Sequence, residues 1–200
     1  MINNDINKLK ARDYAKDYLR YLAKVMSELD IVQISDFMDA LDNARMKGRR
    51  IFIAGNGGSA ATATHLANDL AMVSIKTGQR AFKVMALTDN SAIMTAIAND
   101  LDYDDIFVEQ LKINYEKEDL LIVISASGNS PNVIKAAQWV KDNSGQVLGL
   151  LGFDGGRLRN ICDIMVLVNT PTGEYGPVED IHLVINHLLA NWFQGRENRI

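Results

Sequence analysis

Five short runs rich in Val, Ile and Leu recur along this chain with helical patterns between them, and that alternation restricts the fold more than any other feature. The runs are Arg50 to Ala54, Phe82 to Leu87, Leu120 to Ile124, Val147 to Leu151 and Ile164 to Val168. None alternates cleanly with polar residues, which predicts strands covered on both faces. Helical spacing predicts helices at about Ala60 to Ala71, Ser91 to Ala98, Ile106 to Asn114 and Pro131 to Asn143, with a last one from about Pro177 to Phe193. Strand followed by helix through short connections predicts an α/β fold, a doubly wound parallel sheet of about five strands. Two further helices, about Ile6 to Leu29 and Ile31 to Met46, precede the first strand. We expect one domain over 1–200, with N-terminal helices over 1–47 and the α/β core and last helix over 48–194.

Two of the strand-to-helix turns carry Ser and Gly: Gly55-Asn56-Gly57-Gly58-Ser59 and Ser125-Ala126-Ser127-Gly128-Asn129-Ser130. Free N–H groups at a helix start, the positive end of the helix dipole and serine hydroxyls together hold a phosphate dianion without Lys or Arg. On a parallel sheet both turns fall beyond the strand carboxyl ends, where ligands bind. Ser130 followed by Pro131 predicts an N-cap and first helical residue. Ser125, Ser127 and Ser130 surround residues that tolerate positive φ, so their hydroxyls can converge on one phosphate. The first turn fits a dinucleotide fingerprint only loosely, since Asp89 lies too late for the acidic ribose ligand, and no lysine for a P-loop stands between Gly55 and Ile75. No nucleotide cofactor is expected. A third turn, Gly152-Phe153-Asp154-Gly155-Gly156, reads mainly as turn chemistry.

Composition narrows the classes. A hydrophobic share of 48% with 23% charged residues is ordinary for a soluble globular chain. A net charge of −4 with no dense basic run beyond Arg45 to Arg50 argues against direct nucleic-acid binding. The lone Cys162 removes a disulfide framework, no apolar stretch reaches the roughly 20 residues of a membrane span, and residues 1–5 lack a secretory pattern. The cytoplasm is the expected compartment, with no membrane partner.

Candidate proton-transfer or metal groups cluster on two helices. His65 and Asp69, four apart, share one face of the helix opened by the first turn. Glu179 and His187, eight apart, share a broad face of the last helix. The four suit an acid/base pair or a borderline metal such as zinc. His182 reads as a core residue, and Glu179 and Asp180 also fit as first-turn acids of the last helix.

On these motifs the chain resembles the sugar isomerase, or SIS, domain family, and within it the phosphoheptose isomerases. The matching segments are Gly55 to Ser59, His65 to Leu70, Asn99-Asp100, Ser125 to Ala136, Asp154 to Gly156, and Glu179 to His182 with His187 downstream. The resemblance implies an SIS fold and a homotetramer whose sites draw on more than one subunit. It implies phosphate binding by Ser59, Ser125, Ser127 and Ser130, with Asn56, Gly57, Asp100 and Glu179 also at substrate-binding positions. Asp69 and His187 stand at its acid/base positions. His65, Asp69, Glu179 and His187 fall where some members hold zinc, one per subunit. The implied reaction is aldose-ketose exchange between sedoheptulose 7-phosphate and a heptose 7-phosphate through an enediol.

The chain also departs from the group. Asp69 stands where glutamate is usual, Glu179 where glutamine is, and Val73 and Gly176 where an arginine and an aspartate contact sugar. A second reading is a non-catalytic phosphosugar-binding protein similar to the DnaA initiator-associating protein, which Thr95 to Asp100 also resemble. That group lacks the acid and the histidine found here at 69 and 187, which favours catalysis.

Overall fold

In a computed structural model, described for residues 10–195, the chain forms one five-stranded parallel sheet in the order β2-β1-β3-β4-β5. The strands are β1 (Arg50–Gly55), β2 (Lys83–Ala86), β3 (Leu120–Ser125), β4 (Gln146–Gly152) and β5 (Ile164–Val168). The helices are α1 (Ala11–Ser27), α2 (Ile31–Lys47), α3 (Gly58–Thr77), α4 (Ser91–Asp100), α5 (Val108–Asn114), α6 (Pro131–Asp142) and α7 (Tyr175–Gly195). The part of the first predicted helix over 6–9 lies outside the described residues.

Side-chain alternation divides the core into two layers. Ile51, Ile53, Leu120, Ile122 and Ile124 face α2, α3 and α7, where Phe37, Leu41, Leu66, Leu70, Ile185 and Leu189 meet them. Phe52, Ala54, Leu121 and Val123 point the other way, onto Phe107, Leu111, Val133 and Ala137 of the α5 and α6 layer. Register pairs Ile51 with Leu120 and Ile53 with Ile122, so each layer is continuous across β1 and β3. The expectation of strands covered on both faces holds for β1, β3 and β4. It fails for β2, an edge strand in which Lys83 and Met85 are exposed.

The helix ends follow local chemistry. Asp30 caps α2 by accepting from the Val32 and Gln33 amides at 2.8 and 3.3 Å, and Gly48, at φ +70°, ends it. Helix α3 outruns its expected end at Ala71 and continues to Gly78, at φ +70°. The Ser and Thr residues of its last turns bond back, Thr77 Oγ1 to the Val73 carbonyl at 2.8 Å. Helix α7 begins at Tyr175 rather than Pro177, because a proline within the first turn gives up an N–H that has no helical partner. Glu179 and Asp180 are therefore not first-turn acids.

Strand order sets the ligand position. From β1 the chain moves to β2 on one side and then to β3 on the other, so the sheet changes winding direction between β1 and β3. The two Ser/Gly turns leave those two strands, and their helices α3 and α6 cover opposite faces. A crevice opens there without further design.

Candidate functional site

A cavity of about 180 Å³ lies between the two turns, lined by Asn56, Ser59, Ser125, Ser127, Ser130 and Glu179, with Tyr175 at its side. Ser125 and Ser127 accept from the Gly128 and Asn129 amides at 3.1 and 3.2 Å. Each hydroxyl thus keeps its proton for an incoming anion. Ser130 stands at the N-cap of α6 as expected, but its side chain makes no capping bond, which leaves that hydroxyl toward the cavity as well. At α3 the N-cap is Gly57, at φ +55°, and no side chain makes a capping bond there.

The third glycine turn is a buttress for this cradle. Leu158 N–H donates to the Gly128 carbonyl at 3.0 Å, and Arg157 N–H donates to Asn129 Oδ1 at 3.1 Å. A Cβ at Gly128, itself at φ +62°, would lie 1.9 Å from the Gly155 carbonyl oxygen. Only glycine permits that approach. Asn56 is likewise tied down: its side-chain amide exchanges hydrogen bonds with that of Asn132 at 2.9 and 3.0 Å and accepts from the Tyr103 hydroxyl at 3.1 Å. It retains one free N–H for a ligand.

Helices α3 and α7 run side by side in the same direction. Glu179 lies against Gly58, where a Cβ would come 2.3 Å from Oε2, and two turns further along Asn186 meets Asp69. There His65 Nε2 is 3.4 Å from Asp69 Oδ2, and the His65 and His187 rings meet edge to face at 5.0 Å. One donor atom from each of His65, Asp69 and His187 lies within 4.8 Å of the others. Asp69 and His187 also line a second cavity, of about 210 Å³, with Val73, Lys76 and Asn191.

The structure thus brings together three of the four expected metal-ligating residues. Glu179 stands apart in the anion cradle, because eight residues of α7 separate it from His187 by about 12 Å of helix rise. Asp100 ends α4, accepts from the Asn99 amide at 2.7 Å and does not line the cradle cavity. His182 is buried, as expected of a core residue, and neither ring nitrogen has a well-formed hydrogen bond. Burial lowers it to about 4, opposed only in part by the Leu151 backbone.

Sequence reasoning missed Asn132, Tyr103, Tyr175 and Asn186. Asn186 carried one signal, a polar residue interrupting the apolar stripe Val178, Ile181, Ile185, Leu189 and Phe193. Nothing in the chain named its partner, 117 residues away.

Comparison with known proteins identifies the family of the chain. The SIS domain family model matches residues 13–152. A phosphoheptose isomerase of Pelobacter propionicus is 35% identical over 187 residues, covering 92% of this chain and 95% of that one. One from Aliarcobacter butzleri is 40% identical over 143 residues, covering 72% and 74%. The solved phosphoheptose isomerase of Neisseria gonorrhoeae superposes with a TM-score of 0.83 at 26% identity, over 93% of this chain and 100% of that one.

Proposed function

The chain belongs to the SIS domain family and, within it, to the phosphoheptose isomerases, and from that premise we propose that it interconverts sedoheptulose 7-phosphate and D-glycero-D-manno-heptose 7-phosphate. The observation that carries this reading is that the two helices holding the Asp69/His187 pair, α3 and α7, also bring Ser59 and Glu179 to the cavity completed by Ser125, Ser127 and Ser130. Ser59, Ser125, Ser127 and Ser130 donate to the phosphate, helped by the amides that open α3 and α6. Asn56, Gly57 and Glu179 flank the sugar, and the family resemblance alone adds Asp100 as a sugar contact.

Isomerisation removes a proton from the carbon beside the carbonyl while the carbonyl oxygen gains one, giving an enediol, and the reverse steps on the neighbouring carbon complete the exchange. Asp69 and His187 divide the roles of base and acid. The donors of His65, Asp69 and His187, two imidazole nitrogens and a carboxylate oxygen, fit zinc. Zinc held there would polarise a carbonyl oxygen.

The same reading makes the protein a cytoplasmic homotetramer. No helix among the described residues is long and apolar enough to cross a membrane. Ile75, Met85 and Leu101 are exposed, and α4 buries no residue within one chain, which supports burial of apolar surface against another copy.

The test is turnover of sedoheptulose 7-phosphate followed by NMR, with metal analysis of protein purified without chelator and its mass in solution by light scattering. Asp69→Asn and His187→Ala should each lower kcat by about 10²- to 10⁴-fold. Turnover that survives both substitutions rejects the roles given to Asp69 and His187, and its absence in the parent rejects the isomerase reading.

A further inference from the structure

Asn186 is the buried polar residue that the acid/base pair does not explain. It has no exposed surface, it sits directly before His187, and its neighbours along the inward stripe of α7 are Ile185 and Leu189. Its Nδ2 donates to Asp69 Oδ2 at 3.1 Å, while its own Oδ1 is buried without a partner among the described residues. A leucine has the same branching and the same number of side-chain heavy atoms and leaves no orphaned carbonyl. As a stability element, then, this asparagine is a poor choice, because a buried unsatisfied acceptor costs more than one good hydrogen bond returns.

What the bond does is fix one carboxylate. Asp69 Oδ2 is held from the inside by Asn186 and faces His65 Nε2 at 3.4 Å. Among the described residues Asp69 Oδ1 accepts only from the exposed amide of the adjacent Asn68, at 3.2 Å, a contact that water or a ligand readily replaces. Pinning Oδ2 therefore sets the plane of the carboxylate and leaves Oδ1 as the working oxygen. Asp69 and Asn186 also come from the two helices that carry the two histidines, so one hydrogen bond locks α3 against α7 at the level where His65 meets His187.

We propose that Asn186 is a positioning residue, whose hydrogen bond to Asp69 Oδ2 orients that carboxylate for proton transfer at the sugar. The inference rests on the isomerase reading above and extends it. It assigns no proton to Asn186 itself, which stays neutral and touches neither phosphate nor sugar. Residues that hold a reacting group to within a fraction of an ångström act on the rate, because misplacement by about 1 Å costs on the order of 100-fold.

The experiment compares the parent protein with Asn186→Leu, which keeps the branched shape and loses the donor, and with Asn186→Ser, which is too short to reach Asp69 and serves if the bulkier leucine variant does not fold. Steady-state turnover of sedoheptulose 7-phosphate and thermal unfolding are measured for each. The expected result is a kcat lowered by about 10- to 100-fold, a KM within about twofold of the parent because the cradle is intact, and for at least one of the two variants a melting temperature within about 2 °C of the parent's. A kcat equal to the parent's, a loss confined to KM, or a loss of kcat only in step with a lowered melting temperature would each overturn the positioning role. A parent protein without turnover sinks the isomerase reading first and this role with it, an outcome distinct from an active parent whose variants match it.

Discussion

Gly128→Ala subjects the phosphate loop to a sharp test. The new Cβ would lie 1.9 Å from the Gly155 oxygen and 2.4 Å from the Gly155 carbonyl carbon, both main-chain atoms that cannot swing aside. At φ +62° an alanine also sits in the left-handed region, at a cost of about 1–2 kcal/mol. The clash is relieved only by parting the two turns, which breaks the bonds at 3.0 Å from Leu158 and 3.1 Å from Arg157. Two net hydrogen bonds add about 2 kcal/mol. The total of about 3–4 kcal/mol corresponds to a fall in melting temperature on the order of 10 °C for a chain of this size. Parting the turns also pulls Ser127 from Ser125 and Ser130, so KM for a phosphosugar should rise about 10-fold or more. Unfolding followed by circular dichroism and steady-state kinetics on the purified variant measure both. A variant that melts within about 2 °C of the parent with an unchanged KM would refute the buttress.

Two further predictions use other contacts. Gly58→Ala places a Cβ 2.3 Å from Glu179 Oε2, and a flexible side-chain end can yield, so the fold should survive while the carboxylate leaves the cavity and kcat/KM drops about 10-fold; unchanged kinetics reject a role for Glu179 there. His182 is lowered from 6.5 to about 4 by burial, so the unfolded chain takes up the proton first as pH falls. Stability that is complete above pH 6.5 should decline by about 3 kcal/mol down to pH 4. His182→Leu should flatten that part of the urea-midpoint profile, and a profile as steep as the parent's argues against the assignment.

The fold was largely legible because buried parallel strands are recorded in the chain as uninterrupted apolar runs. Leu120 to Ile124 needed no partner to be recognised, and neither did the cap at Ser130-Pro131. What escaped depends on who stands next to whom. The exposure of β2 follows from its place at the edge of the sheet, which no residue within Lys83–Ala86 encodes. Gly155 and Gly156 look like an ordinary turn until the Ser127 loop is laid against them. His65, Asp69 and His187 were each found from chemistry and helical spacing, whereas Glu179 matched the same criteria and lies elsewhere, since a shared helix face does not imply a shared depth along the axis. Asn186 was unreadable as a site residue because its meaning lies entirely in one bond across the α3/α7 seam.

The matched direction of α3 and α7 makes the helix pair a ruler. In the proposed function Ser59 and Glu179 mark its phosphate end, and His65 and His187 mark the reacting end six and eight residues along. At 1.5 Å per residue these intervals are about 9 and 12 Å, fixed by backbone geometry rather than by loops. Changing that interval along the helices means moving a reactive side chain by a whole turn, about 5.4 Å, so relatives of this fold that act on shorter sugars should differ in which turn bears the base.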